Sequence, residues 1–254
     1  MSEDSTLSLA IVLGYLLGSI PFGLILPRFA GFGDIRTIGS GNIGATNVLR
    51  TGSKKLALAV TVLDGGKGAL AVLLASGLGE ANVYFAAGIA ALFGHLFPIW
   101  LKLDRRGAVT LAVLAGGLTM SLAQSSVPLQ LIGVLILLTV TLTAWGGKGV
   151  ATTLGVLLAA LPLVGVLAAL TWLAAAVISK RSSVGGLAAA ASAPLYALAV
   201  PLAINPALQP FDWQRAAFAL FLALVVILRH TENIRRLLRG EEPRINMRKS
   251  APSP

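Results

Sequence analysis

Four short stretches of this chain bring together residue types that can do chemistry. Residues 39–50 read GSGNIGATNVLR. Their glycines let backbone N–H groups converge on an anion, Ser40, Asn42 and Asn47 add polar side chains, and Arg50 supplies a two-pronged phosphate clamp. A flexible turn is the alternative reading of that segment. Residues 145–152 read WGGKGVAT, where Gly146, Gly147, Lys148 and Gly149 run into a helix start. A helix N-terminus beside a lysine is an anion site. This is not a Walker loop, because Gly149 follows Lys148 where that motif needs Ser or Thr.

The third stretch, DGGKG, puts Asp64 and Lys67 three residues apart inside an apolar run. Each charge at a span centre costs about 2.5–3.5 kcal/mol on the insertion scale, so the pair should face away from lipid and pair on one helix face. An internal ion pair that braces the loop below is the expectation, with direct catalysis as the alternative. The fourth stretch is RHTENIRRLLRGEE, residues 229–242. Taken as a continuation of the last span, it places His230 and Asn233 on one helix face at the membrane surface. His230 is suited to proton transfer near neutral pH, and Asn233 can orient a hydroxyl or an oxyanion. A basic helix for anionic headgroups is the competing reading. His95, in GHLFP before Pro98, is expected to have a structural capping role.

Several familiar chemistries are absent. The chain has no cysteine, no G-x-S-x-G elbow and no H-E-x-x-H pair. The position five residues after His95 is Trp100 and after His230 is Arg235, so the His-x4-Asp signature of acyl-CoA-dependent acyltransferases is missing too.

The elements that must hold these loops are membrane spans. Of 254 residues, 56% are hydrophobic and 12% charged, about half the charge of a soluble domain, and the mean hydropathy is +0.84. The length of the apolar runs points to helices rather than a barrel. Runs at 7–27, 56–78, 81–101, 107–123, 127–144, 150–178, 184–204 and 213–228 are expected to be helical, with 150–178 dividing at Pro162 to give nine segments. The polar, acidic first residues and the long run after them do not read as a cleaved signal. The net charge of +10 is carried by alternate loops and the C-terminal tail rather than by a nucleic-acid-binding face. That alternation predicts an outside N-terminus and a cytoplasmic C-terminus. The three phosphate-handling loops then share the cytoplasmic side. A transporter for a phosphorylated small molecule is the rival class, but transport sites gather their polar residues near the midplane.

Residues 39–50, 146–152 (GGKGVAT) and 230–242, with DIR at 34–36, GHLFP at 94–98 and Ser182–Ser183 after a basic pair, resemble the bacterial acyl-phosphate–glycerol-3-phosphate acyltransferase family, the PlsY type. The resemblance covers most of 7–101 and 145–245. It implies a single all-α, multi-pass domain of the bacterial inner membrane, which transfers a fatty acyl group from acyl phosphate to the 1-hydroxyl of sn-glycerol 3-phosphate in phospholipid synthesis. It matches Ser40 and Arg50 to the glycerol-phosphate loop, and Lys148 with its flanking glycines to the substrate phosphates. His230 and Asn233 match the catalytic pair, Glu242 an acid that holds that loop, and Ser183 a serine near the site. Acyl phosphate, glycerol 3-phosphate and membrane lipids are the implied partners; the donor is already activated, so no cofactor or metal is expected. One departure stands out. The family pattern runs from GH-x-FP through a short apolar stretch into GGKGVAT, whereas here residues 102–144 intervene and read as two inserted spans added to seven family-like ones. Residues 229–254 form the C-terminal motif and basic tail.

Overall fold

The computed structural model describes residues 3–101, 127–204 and 212–245. In chain order its helices are α1 (Glu3–Gly18), α2 (Phe22–Phe29), α3 (Ala45–Val48), α4 (Lys54–Ser76), α5 (Ala81–Leu96), α6 (Val127–Thr141), α7 (Val150–Ala160), α8 (Pro162–Ser179), α9 (Ser182–Ile204), α10 (Trp213–Arg229) and α11 (Thr231–Leu238). Five stretches are long and apolar enough to cross a membrane: Ser5–Phe29, Lys54–Ser76, Ala81–Leu101, Pro162–Ser179 and Ser182–Pro201. The pair α10 and α11 adds a sixth, bent by 60°. Rows of exposed Leu and Val, such as Leu58, Val62 and Leu73 on α4, form the surface presented to lipid.

The expected runs and the observed helices differ where the backbone is interrupted. The 7–27 run breaks between Gly18 and Phe22, since Pro21 lacks an N–H to continue the ladder. The 150–178 run divides at Leu161, with Pro162 in the first position of α8, where a missing N–H does no harm. Residues 127–144 contain the helix α6, whereas the expected 107–123 span lies outside the described residues. A larger correction concerns the last span. It does not run on as one helix through 242: α10 ends at Arg229 and the chain turns at His230 before α11 begins. The side chains of His230 and Thr231 bond the carbonyls of Val226 and Leu228 at 2.8 and 2.6 Å, a local competition with the helix ladder. His230 and Asn233 therefore belong to different helical frames.

Small residues let the helices approach. A Cβ on Gly18 would come within 2.0 Å of the Ala91 carbonyl oxygen, which fixes α1 against α5. On the other side of the core, a Cβ on Gly155 would lie 1.9 Å from the Gly65 oxygen and one on Gly68 2.5 Å from the Thr152 oxygen. Gly65 and Gly68 of DGGKG are thus the contact surface of α4 for α7, the small-residue packing that membranes favour. Stacked Phe85 and Phe218, with centroids 4.2 Å apart, pack between α5 and α10.

Candidate active site

The 39–50 loop is shaped from within. Asn47 is buried, and its amide donates to the carbonyls of Ile35 at 2.8 Å and Ile38 at 3.1 Å while its oxygen accepts the Ser40 N–H at 3.1 Å. Asn42 closes an Asx turn on the Gly44 N–H at 2.9 Å. Both asparagines, expected as substrate ligands, are engaged in folding the loop. Ser40 and Arg50 remain exposed. Gly39 has φ +55°, and a Cβ there would meet Arg50 Nη1 at 2.3 Å and Asn47 Oδ1 at 2.4 Å, so only glycine lets the arginine lie across the turn.

Beneath the loop, Lys67 pairs with Asp64 at 2.8 Å and donates to the Ile20 carbonyl at 2.8 Å, an acceptor freed by the break before Pro21. Gly23 on α2 then abuts the Ile43 carbonyl. The ion pair braces the loop through the broken helix, and both members are buried, away from lipid and from the loop's outer face.

The GGKG loop is seated on the C-terminal end of α5. Gly146 and Gly147 donate their N–H groups to the Leu96 and His95 carbonyls at 2.7 and 3.2 Å. A Cβ on Gly147 would lie 1.9 Å from His95 Nε2. These two glycines serve close packing, and their N–H groups are already committed to α5, so neither N–H is left for the substrate contact expected of these residues. His95 caps the arrangement with both its backbone and its ring, while its Nδ1 lies 3.7 Å from Asp64. Gly149, at φ +82°, turns the chain into α7, whose first-turn N–H groups have no carbonyl partner within the helix. What the loop presents is Lys148 and that helix N-terminus.

The third segment meets Lys148. Lys148 Nζ donates to Asn233 Oδ1 at 2.5 Å, and Asn233 Nδ2 donates to Glu242 Oε1 at 2.7 Å. Arg236 Nε donates to the other Glu242 oxygen at 2.8 Å. Glu242 reaches this position because α11 ends in a Schellman turn: Gly240 at φ +73° and Glu241 donate to the Leu237 and Arg236 carbonyls. The returning strand is pinned further on, by Arg181 Nε to the Glu242 carbonyl at 3.1 Å and by the Ile245 N–H to the Lys180 carbonyl at 2.7 Å. His230 is buried, with Nδ1 2.8 Å from the Val226 carbonyl. A carbonyl only accepts, so Nδ1 carries the proton and Nε2 of the neutral ring is left as the acceptor. A Cβ on Gly186 would lie 3.2 Å from that Nε2.

Electrostatics tie the segments together. Burial pushes the Lys148 ammonium down to about 8; Glu242 opposes this, while Arg236, Arg229 and Arg50 add to it. Burial works to raise the Glu242 carboxyl, yet Ser183, Asn233 and Arg236 together hold it below the usual range. Ser183 is near enough to contribute there, but its buried hydroxyl has no partner in hydrogen-bonding geometry. The structure thus brings together Lys148, Asn233, Glu242, His230 and Ser183, with Arg50 within electrostatic reach. It keeps Asp64, Lys67 and His95 beneath them. Sequence reasoning missed Arg236, Arg181 and Gly186. The i, i+3 spacing of Asn233 and Arg236 is a signal for the first, whereas nothing local marks the other two. Among the described residues no group of three or more His, Cys, Asp or Glu converges as metal ligands.

Known proteins resemble this chain along most of its length. The family model described as glycerol-3-phosphate acyltransferase matches residues 8–145 and 137–240. A glycerol-3-phosphate acyltransferase of Caulobacter vibrioides is 45% identical over 248 residues, 97% of this chain and 91% of that protein. One from Rhodospirillum rubrum is 45% identical over 265 residues and covers 99% of both. Crystal structures of PlsY, an integral membrane glycerol 3-phosphate acyltransferase, superpose in the glycerol 3-phosphate form with a TM-score of 0.69 at 29% identity, covering 94% of this chain and 96% of that one. The lysophosphatidic acid form gives 0.68 at 28% identity, covering 96% and 97%. With the family model matched over residues 8–240 and relatives 45% identical along nearly the whole sequence, this chain belongs to the glycerol-3-phosphate acyltransferase family of the PlsY type.

Proposed function

We propose that the protein transfers a fatty acyl group from acyl phosphate to the 1-hydroxyl of sn-glycerol 3-phosphate, yielding lysophosphatidate and inorganic phosphate for phospholipid synthesis. The observation that carries this reading is the Lys148–Asn233–Glu242 chain beside His230. It joins a cation, an orienting amide and a proton acceptor in one place, and an acyl phosphate, already activated, needs no protein nucleophile. The substrate oxygen attacks the acyl carbon, the bond from that carbon to the phosphate oxygen breaks, and the hydroxyl proton passes to His230 Nε2. Lys148 and the α7 N-terminus neutralise substrate phosphate, and Asn233, held by Glu242, orients the reacting oxygen. Ser40 and Arg50 bind the glycerol 3-phosphate phosphate from the exposed side, on a loop whose form depends on Asn42 and Asn47. Ser183 is the remaining polar group at the site.

In this reading the chain is one domain of the bacterial inner membrane with nine helical segments. Residues 102–144 cross twice, the N-terminus is outside, and the site and the basic tail 229–254 are cytoplasmic. The positive-inside distribution of Lys and Arg supports that orientation. A cysteine placed at Ser125 should react only with reagent from outside; labelling only from the cytoplasm would reverse it.

Purified protein in detergent should acylate glycerol 3-phosphate with palmitoyl phosphate and not with palmitoyl-CoA. Equal turnover of the thioester would overturn the assigned donor.

A further inference from the structure

The last residue of α10, Arg229, belongs to none of the roles assigned above. Its Nη2 reaches the Gly147 carbonyl only at 3.5 Å, the limit of a hydrogen bond. Its Nε is buried and unpartnered, and among the described residues no carboxylate pairs with it. Three other cations of this region are anchored. Lys67 has Asp64 at 2.8 Å, Arg236 has Glu242 at 2.8 Å, and Lys148 has Asn233. Three further cations, Arg50, Arg229 and Arg236, lie within electrostatic reach of Lys148, against the single carboxylate of Glu242. A partly buried guanidinium with an unused N–H and cationic neighbours is unfavourable unless something else supplies the negative charge.

We propose that Arg229 is a phosphate-binding residue for the acyl donor, which grips the same phosphate as Lys148. Position selects the donor over glycerol 3-phosphate. Arg229 leans on the GGKG loop and directly precedes His230, whereas Arg50 lies across the separate 39–50 loop. A guanidinium can present two parallel N–H groups to phosphate oxygens. As the acyl carbon–oxygen bond breaks, the bridging oxygen leaves with the electron pair, and the phosphate gains charge beside Arg229. Its contribution therefore grows toward the transition state and acts on kcat as well as KM.

This assignment rests on acyl phosphate being the donor, and one set of assays separates the two claims. With wild-type protein, palmitoyl phosphate and glycerol 3-phosphate are each titrated at saturation of the other, then the same is done for Arg229→Gln and Arg229→Lys. Inhibition by an alkyl phosphonate of matching chain length reports binding alone. In Arg229→Gln the KM for palmitoyl phosphate should rise about ten- to hundredfold, the loss expected of a charge-assisted contact. The inhibition constant of the phosphonate should rise in parallel, and the KM for glycerol 3-phosphate should stay within about twofold. Arg229→Lys should recover part of the loss. An unchanged donor KM, or a rise confined to glycerol 3-phosphate, would overturn the proposal. So would loss of the folded protein in both variants, which makes Arg229 a framework residue. A wild-type protein that ignores palmitoyl phosphate would instead overturn the donor reading itself.

Discussion

The 39–50 loop and the cluster around Lys148 both carry cations proposed to bind substrate phosphate, but they are built in opposite ways. The bonds that shape the first join residues close in sequence: Asn47 reaches Ile35, Ile38 and Ser40, and Arg50 folds over Gly39. The second is assembled from remote segments. Lys148 meets Asn233, Asn233 meets Glu242, Arg181 holds the strand that carries Glu242, and the GGKG loop rests on His95 and Leu96. The first loop is exposed at Ser40 and Arg50, and the second is largely buried. A locally built loop tolerates a change as a change in binding. A tertiary cluster transmits it to chemistry.

The comparison makes its largest prediction at His230. His230→Ala should lower kcat by about 10²–10⁴-fold, the range for general acid–base catalysis, with KM values little changed. His230→Gln keeps a hydrogen-bonding side chain but cannot act as a base. A kcat near wild type in that variant would leave His230 as an orienting group and give the proton to the departing phosphate. Next come two glycines. Gly147→Ala forces a Cβ to 1.9 Å from His95 Nε2, so it should displace Lys148, lower the melting temperature and reduce kcat/KM for both substrates. Gly39→Ala strains the loop at φ +55° and meets Arg50 and Asn47 first, so it should raise the KM for glycerol 3-phosphate while sparing that for the donor. If both variants lose activity alike, the distinction between the regions fails.

Arg50→Lys keeps the charge and loses the fork. It should raise the KM for glycerol 3-phosphate about tenfold with the donor KM unchanged. The smallest effect is a pH shift. Lys148 titrates at about 8, so activity should fall as pH rises through that value and its ammonium is lost. Its own contribution to stability has the opposite sign: the unfolded chain holds this proton to higher pH, so folding is favoured as pH rises above about 8. Glu242 works to raise the lysine's pKa. Glu242→Gln should therefore move the alkaline limb of kcat/KM to lower pH, and an unmoved limb would separate Glu242 from Lys148.

Much of this protein is determined by the sequence alone. A chain with 56% hydrophobic residues and 12% charged must bury its backbone polarity in helices within lipid, and Pro162 sets where one run divides because it cannot extend a hydrogen-bond ladder. The i, i+3 spacing of Asp64 and Lys67 predicts their pairing for the same local reason. The tertiary structure alone decided the meeting of Lys148 with Asn233, the use of the Gly146 and Gly147 N–H groups by α5, and the near isolation of Arg229. Each depends on which carbonyl, carboxylate or ring arrives from a distant segment. Residue type states what a group can bond to, but only packing determines which partner reaches it and which group is left for the substrate.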